Sequence, residues 1–191
     1  MEFGITFDYL CPFARNANEA VLNGINAGKA WQPRFLAFSL SQVHTDDDEP
    51  DVWEQPDGKS GVLALQWGLA VRDSFPGYFP AAHRALFAAR FDHGRDINDE
   101  AVIMESLTAA GVDTDAVADV VASGEPLDTL AAEHLECVAE WEVFGVPTFI
   151  VDDHATFIRF MSRGDVADLE RALDLLTWTN LNEFKRTVIP R

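Results

Sequence analysis

Two thiols occur in the 191-residue chain, Cys11 and Cys137, and Cys11 stands where a thiol can react. It lies in Phe7-Asp8-Tyr9-Leu10-Cys11-Pro12-Phe13-Ala14-Arg15, at a junction between a strand-like and a helix-like pattern. The thiolate is the nucleophilic form. A helix N-terminus favours it through unpaired N–H donors and the positive end of the helix dipole. Arg15, one turn on, would add positive charge, and Asp8, three residues back, would oppose it. The other reading of Cys11 is a small apolar residue tucked under a sheet, a common place for free cysteine.

The elements that must position this sulfur follow from periodicity. Phe3, Ile5 and Phe7 alternate with a period near two, which predicts a strand ending at the motif. Ala17, Val21, Leu22 and Ile25 recur at helical spacing, with Gly28 as the stop. Pro12 suits the first helical turn, where its missing N–H costs no intrahelical bond. Ala30–Ser39 reads as a second strand with Pro33 at an edge or early position, and strand–helix–strand over this length predicts a right-handed parallel unit. Residues 40–58 turn polar. The acidic run His44-Thr45-Asp46-Asp47-Asp48-Glu49-Pro50-Asp51 reads as a solvated surface loop, because it lacks the Gly and terminal Glu of a calcium-binding loop.

From Gly58 to about Ser123 the pattern is helical. Val62, Leu65 and Leu69 mark one helix, and Ala82, Leu86 and Ala89 a second. Asn98-Asp99-Glu100, a cap followed by acids in the first turn, launches a third carrying Val102, Ile103 and Leu107, ended by Gly111. Asp113 or Thr114 starts a fourth. Pro126 opens a fifth with Leu130, His134, Leu135, Val138 and Trp141. On it His134 and Cys137 read as packing residues rather than as a catalyst and a second active thiol. Val146–Val151 and Thr156–Phe160 are expected strands, joined by Asp152-Asp153-His154 in a hairpin-like connection. A final helix after Ser162-Arg163-Gly164-Asp165 carries Val166, Leu169, Leu173 and Leu176. The tail holds Trp178, Leu181, Phe184 and Val188, which would pack on the body or on a partner, so a homodimer is compatible with it.

A strand, Cys-Pro-Phe-Ala and a helix, with Phe144-Gly145-Val146-Pro147-Thr148-Phe149-Ile150-Val151 far downstream, resembles the thioredoxin-like superfamily. The long helical stretch between them is similar to its DsbA-like branch, which includes disulfide oxidoreductases, 2-hydroxychromene-2-carboxylate isomerases and kappa-class glutathione transferases. The resemblance implies an α/β, thioredoxin-like fold: a mixed four-stranded sheet with a helical insertion between a βαβ half and a ββα half. Residues 1–40 and 144–177 would be the core of a single domain spanning 1–191, with residues 58–143 as the insertion and connecting helix and 178–191 as the tail. It also implies that Pro147 is cis and sits beside Cys11, leaving the backbone of Val146 free to pair with an extended thiol substrate, with Thr148 following. In glutathione-using relatives the start of the last helix holds the carboxylate of the thiol. Ser162 and Asp165 occupy that stretch, where Arg163-Gly164 departs from the usual pattern. His83, Phe87 and Trp67 would line the site from the insertion, or simply be core.

The motif departs from both branches. Ala14 replaces the second cysteine of Cys-x-x-Cys, and Cys11 replaces the serine usual in the isomerase and transferase branches. A mixed disulfide on Cys11 would need an outside thiol, such as glutathione or another low-molecular-weight thiol, to release it. The expected function is therefore a thiol-dependent oxidoreductase acting through Cys11 alone, with Pro12, Phe13 and Ala14 completing the active turn. Isomerase or transferase chemistry on a small aromatic compound is the second expectation, and a degenerate peptide- or partner-binding protein the third.

Bulk composition narrows the partners. The chain is 48% hydrophobic and 24% charged, ordinary for a globular protein. Its net charge of −18, from 32 acids against 14 bases, opposes nucleic-acid binding through a generally cationic surface. No apolar run reaches the roughly 18 residues of a membrane span, and a strand begins within two residues of Met1, leaving no room for a signal peptide. The scattered histidines lack zinc spacing, so no metal and no tightly bound cofactor is expected. Two cysteines are too few for a disulfide-stapled secreted protein, which makes a cytoplasmic setting and a small-molecule thiol or disulfide partner the simplest expectation.

Overall fold

β1 (Glu2–Phe7) runs through the centre of the computed structural model, which describes residues 1–46, 48–178 and 180. It pairs in parallel with β2 (Gln32–Ala37) from Glu2↔Gln32 to Phe7↔Ala37, and antiparallel with β3 (Thr148–Val151) through Ile5↔Phe149. β4 (His154–Phe157) completes the mixed four-stranded sheet in the order β2-β1-β3-β4. Pro33 thus sits on an edge strand, where its missing N–H interrupts no central ladder.

Between β1 and β2 runs α1 (Pro12–Asn26), and after β4 comes α8 (Val166–Leu176). Phe3 and Ile5 of β1 pack with Ala17, Ala20 and Val21 of α1 and with Leu169, Leu173 and Leu176 of α8. The period-two apolar positions of the first strand and the helical stripes of these two helices therefore share one core.

The stretch between β2 and β3 holds α2 (Leu40–Val43), α3 (Val62–Ser74), α4 (Phe79–Phe91), α5 (Glu100–Ala109), α6 (Thr114–Ala122) and α7 (Glu125–Trp141). Asp99 and Asp113 cap α5 and α6 through the amides of Ala101 and Ala116, and Pro126 lies in the first turn of α7. Such caps contribute about 1 kcal/mol each. The four-residue α2 carries too little periodicity to be seen in sequence; Ser39 starts it by accepting from the Gln42 amide. Trp67, Leu86, Phe87 and Ile103 of these helices join Phe7, Tyr9, Cys11 and Ala14 in one buried cluster, so the helical stretch packs onto the turn that carries the thiol. Gly68 permits the close approach: a Cβ there would lie 2.4 Å from the Tyr9 hydroxyl.

The β3–β4 connection is tighter than expected. Asp152 takes a positive φ of 53°, Val151 pairs directly with His154, and His154 belongs to the strand rather than to the loop. β4 ends at Phe157: the Ile158 amide still donates to the carbonyl of Pro147 at 3.1 Å, but Pro147 has no N–H to return the bond, and Phe160 turns inward to the α1–α8 core. The expected tail contacts of Leu181, Phe184 and Val188 lie outside the described residues, and Trp178 is exposed.

Candidate active site

Cys11 is the N-cap of α1 and has an extended backbone. Pro12 takes the first helical position and is exposed, Phe13 is half-buried, and Ala14 is fully buried. The Ala14 amide donates to the Cys11 sulfur at 3.4 Å, as an unpaired helix-terminal N–H is free to do. The Val146–Pro147 peptide bond is cis and faces this turn: Cys11 Sγ donates to the Val146 carbonyl at 3.3 Å. The carbonyl expected to be free for a substrate is thus held by the thiol itself. Thr148 is buried, with its amide on Thr6 Oγ1 at 2.8 Å and its hydroxyl on the Gly145 carbonyl at 2.7 Å, so it buttresses the loop and offers nothing outward.

Burial decides the protonation of Cys11. The residue is 8% exposed, and desolvation holds its thiol above the usual range. The Ala14 and Phe13 amides pull the other way, the Asp8 charge adds to the upward push, and Arg159 lowers it. The thiolate anticipated from the helix N-terminus is therefore outweighed in the resting protein, where the sulfur is a hydrogen-bond donor. Arg15 gives no help, because its guanidinium pairs with Asp92 at 2.9 Å.

Asp8 lies wholly buried beneath the turn. Its two oxygens accept from the Leu10 and Leu40 amides at 2.8 and 2.7 Å, yet burial still raises its pKa to about 6.

Of the other expected residues, His83 lies away from any open surface. It is 1% exposed, ringed by Phe7, Tyr9, Phe35, Phe79 and Phe87, and hydrogen-bonded to Tyr9 and Asn18. Trp67 and Phe87 are likewise core. Asp165 caps α8 through the Asp168 amide at 3.0 Å; as an acceptor-only group it is unsuited to hold a carboxylate. Ser162 is exposed in the loop that α1 anchors through the Gly164 amide and the Asn16 carbonyl at 3.1 Å. Cys137 is 1% exposed, with its thiol pushed up to about 12 by burial first, which suits packing. His134 stacks on Phe38 and accepts the Ser39 amide. A cleft of about 390 Å³ opens beside Leu10, between Leu40, His44 and Lys59, and does not take in Cys11.

Three residues around the turn escape a reading by periodicity. Asn16 donates to the Phe160 carbonyl at 2.9 Å, and Asn18 to the Ala14 carbonyl at 2.8 Å. Asparagine is a poor helix former, so two of them in the interior of α1 are a signal of tertiary duty. Arg159 lies over the Phe13 ring, its guanidinium carbon 5.4 Å from the centroid. It breaks an otherwise apolar and aromatic run, the one mark it leaves in sequence.

The family model described as DSBA-like thioredoxin domain matches residues 76–174. Comparison with curated protein sequences found no match. Among solved structures, a probable DsbA oxidoreductase from Streptomyces coelicolor superposes with a TM-score of 0.65 at 18% identity, covering 97% of this chain and 93% of that one. The cytosolic disulfide reductase DsbM from Pseudomonas aeruginosa, in its structure with GSH, gives 0.64 at 17% identity, covering 92% and 98%. A 2-hydroxychromene-2-carboxylate isomerase gives 0.64 at 19% identity, covering 94% and 98%. At these identities the likeness is one of fold, which is thioredoxin-like.

Proposed function

The chain belongs to the DSBA-like thioredoxin domain family, and on that footing we propose that it is a thiol–disulfide oxidoreductase working through Cys11 alone. The observation that carries this reading is the placement of Cys11 Sγ between the Ala14 amide and the carbonyl that precedes cis-Pro147. A substrate with an amide N–H next to its sulfur, as glutathione has, can take the Val146 carbonyl by strand-like pairing. Cys11 then loses its acceptor and gives its proton to solvent, and the Ala14 and Phe13 amides hold the thiolate.

The thiolate attacks one sulfur of a disulfide RS–SR′. A bond forms between Cys11 and RS, and R′S⁻ leaves. Ala14 offers no second sulfur, so an outside thiolate R″S⁻ attacks the mixed disulfide, takes away RS–SR″ and returns Cys11 as thiolate. The net change is RSSR′ + R″SH → RSSR″ + R′SH. A reducing, cytoplasmic setting that supplies the second thiol belongs to the same reading.

The raised pKa of Cys11 favours a second reading, in which the neutral S–H acts as a donor to a bound thiolate in isomerase or transferase chemistry on a small aromatic compound. Peptide-mapped mass spectrometry after incubation with oxidised glutathione separates the two. A glutathione adduct on Cys11, absent in Cys11→Ser, is expected. No adduct, together with Cys11-dependent turnover of an aromatic substrate, would move the function to the second reading.

A further inference from the structure

In a chain of net charge −18, eight of the eleven described lysines and arginines are matched to an acid. Arg15, Lys29, Arg34, Lys59, Arg72, Arg95, Arg163 and Arg171 all form ion pairs. Among the described residues Arg84, Arg90 and Arg159 form none; the first two are partly buried, and of the three Arg159 alone is exposed. Its guanidinium lies between two rings, 5.4 Å from the centroid of Phe13 and 5.7 Å from that of Phe157. Phe157 in turn packs on the exposed Phe144 at 5.1 Å. Phe13 is the third residue of the active turn, so the cation sits against the reactive motif itself.

The backbone at Arg159 is pinned on both sides. The preceding residue, Ile158, donates its amide to the Pro147 carbonyl at 3.1 Å, and the following residue, Phe160, accepts from Asn16 of α1 at 2.9 Å. One anchor is the cis-proline and the other is the helix that Cys11 caps. Both walls of the thiol's surroundings thereby hold the arginine in register with the sulfur. Aromatic faces orient a guanidinium through its plane and leave its N–H edge free, the edge that binds a carboxylate through two parallel hydrogen bonds.

We propose that Arg159 is the specificity-determining residue of this site, selecting low-molecular-weight thiols and disulfides that carry a carboxylate within reach of its guanidinium. The proposal rests on the exchange reading of Cys11 for its biological sense, and on the Phe13–Arg159–Phe157 geometry for its physical content. The arginine offsets, at one point, the repulsion that the acidic surface exerts on an anionic substrate.

The test compares two alkylating probes of similar size, anionic iodoacetate and neutral iodoacetamide, with the rate at Cys11 read by peptide mapping. Taking their ratio cancels any effect of the variant on the thiol's own pKa. Arg159→Gln is expected to lower the iodoacetate-to-iodoacetamide ratio about fivefold at low ionic strength, and Arg159→Lys to keep most of it. Arg171→Gln removes the same net charge from α8 and is expected to leave the ratio unchanged. An unchanged ratio in Arg159→Gln, or an equal fall in Arg171→Gln, overturns the proposal. Alkylation needs no disulfide chemistry, so a wild-type protein that forms no glutathione adduct yet shows the Arg159-dependent ratio would fail the oxidoreductase reading alone.

Discussion

Tyr9 and His83, 74 residues apart in sequence, share a 2.8 Å hydrogen bond in a space closed to solvent. The tautomer follows from the far end of the chain of bonds. Asn18 donates its Nδ2 to the Ala14 carbonyl, so its Oδ1 faces His83 Nε2 at 3.1 Å and that nitrogen must carry the proton. His83 Nδ1 is then the acceptor of the Tyr9 hydroxyl. The relay joins α4 to both ends of the Cys11 turn with these contacts satisfied. His83→Phe leaves the Tyr9 hydroxyl and Asn18 Oδ1 buried and unpaired, and is expected to destabilise the fold by about 3 kcal/mol. Adding Tyr9→Phe should return about 1 kcal/mol in a urea-denaturation cycle. Strictly additive losses would show that the pair is not coupled.

Stability is expected to fall in acid through two buried imidazoles. Burial lowers the pKa of His83 to about 3 and that of His134 to about 4. Unfolded histidine takes up a proton near 6.5, so below that pH the unfolded chain binds more protons and the fold loses stability until the folded groups titrate. Asp8 works in the opposite direction: with its folded pKa raised to about 6, the native state binds the extra proton between about pH 4 and 6 and gains stability there as pH falls. Two imidazoles against one carboxyl leave a net loss of about 1.4 kcal/mol per pH unit across the overlap. Urea midpoints from pH 7 to 4 check this; a flat profile for the wild type would contradict it.

Asp8→Asn separates the carboxyl's charge from its shape. Asparagine keeps one oxygen for the Leu10 or Leu40 amide and removes the negative charge that raises the Cys11 pKa. The iodoacetamide rate of Cys11 against pH should shift to lower pH in the variant, and its acid-induced loss of stability should become steeper. A profile shifted upward would mean that Asp8 aids the thiolate.

Much of this arrangement is legible in the chain. The alternation of Phe3, Ile5 and Phe7 marks β1, Pro12 after Cys11 marks the start of α1, and Asn98-Asp99-Glu100, Asp113-Thr114 and Pro126 mark three further helix starts, because each rests on chemistry local to a few residues; which residue of the first two groups is the cap, Asp99 and Asp113, is settled only by the folded backbone. The protonation state of Cys11 is not local. It depends on how many groups from distant segments wall off the sulfur, and that burial outweighs the helix N-terminus. His83 resists reading for the same reason: its partners come from residues 9 and 18, and only the packed structure turns a candidate lining residue into a core relay. Asp165 appears in the expected place and does a different task, capping α8. Arg159 emerges only when β4 is seen to end at Phe157, with Ile158 opposite Pro147 in the antiparallel register.

The lifetime of a Cys11–glutathione mixed disulfide, prepared on purified protein and followed by intact mass, tests the single-sulfur mechanism most directly. In thiol-free buffer the wild-type adduct should persist, reduced glutathione should release it as oxidised glutathione, and Ala14→Cys should release it with no thiol added. Spontaneous loss from the wild type in thiol-free buffer, or an adduct that reduced glutathione cannot remove, would contradict the account.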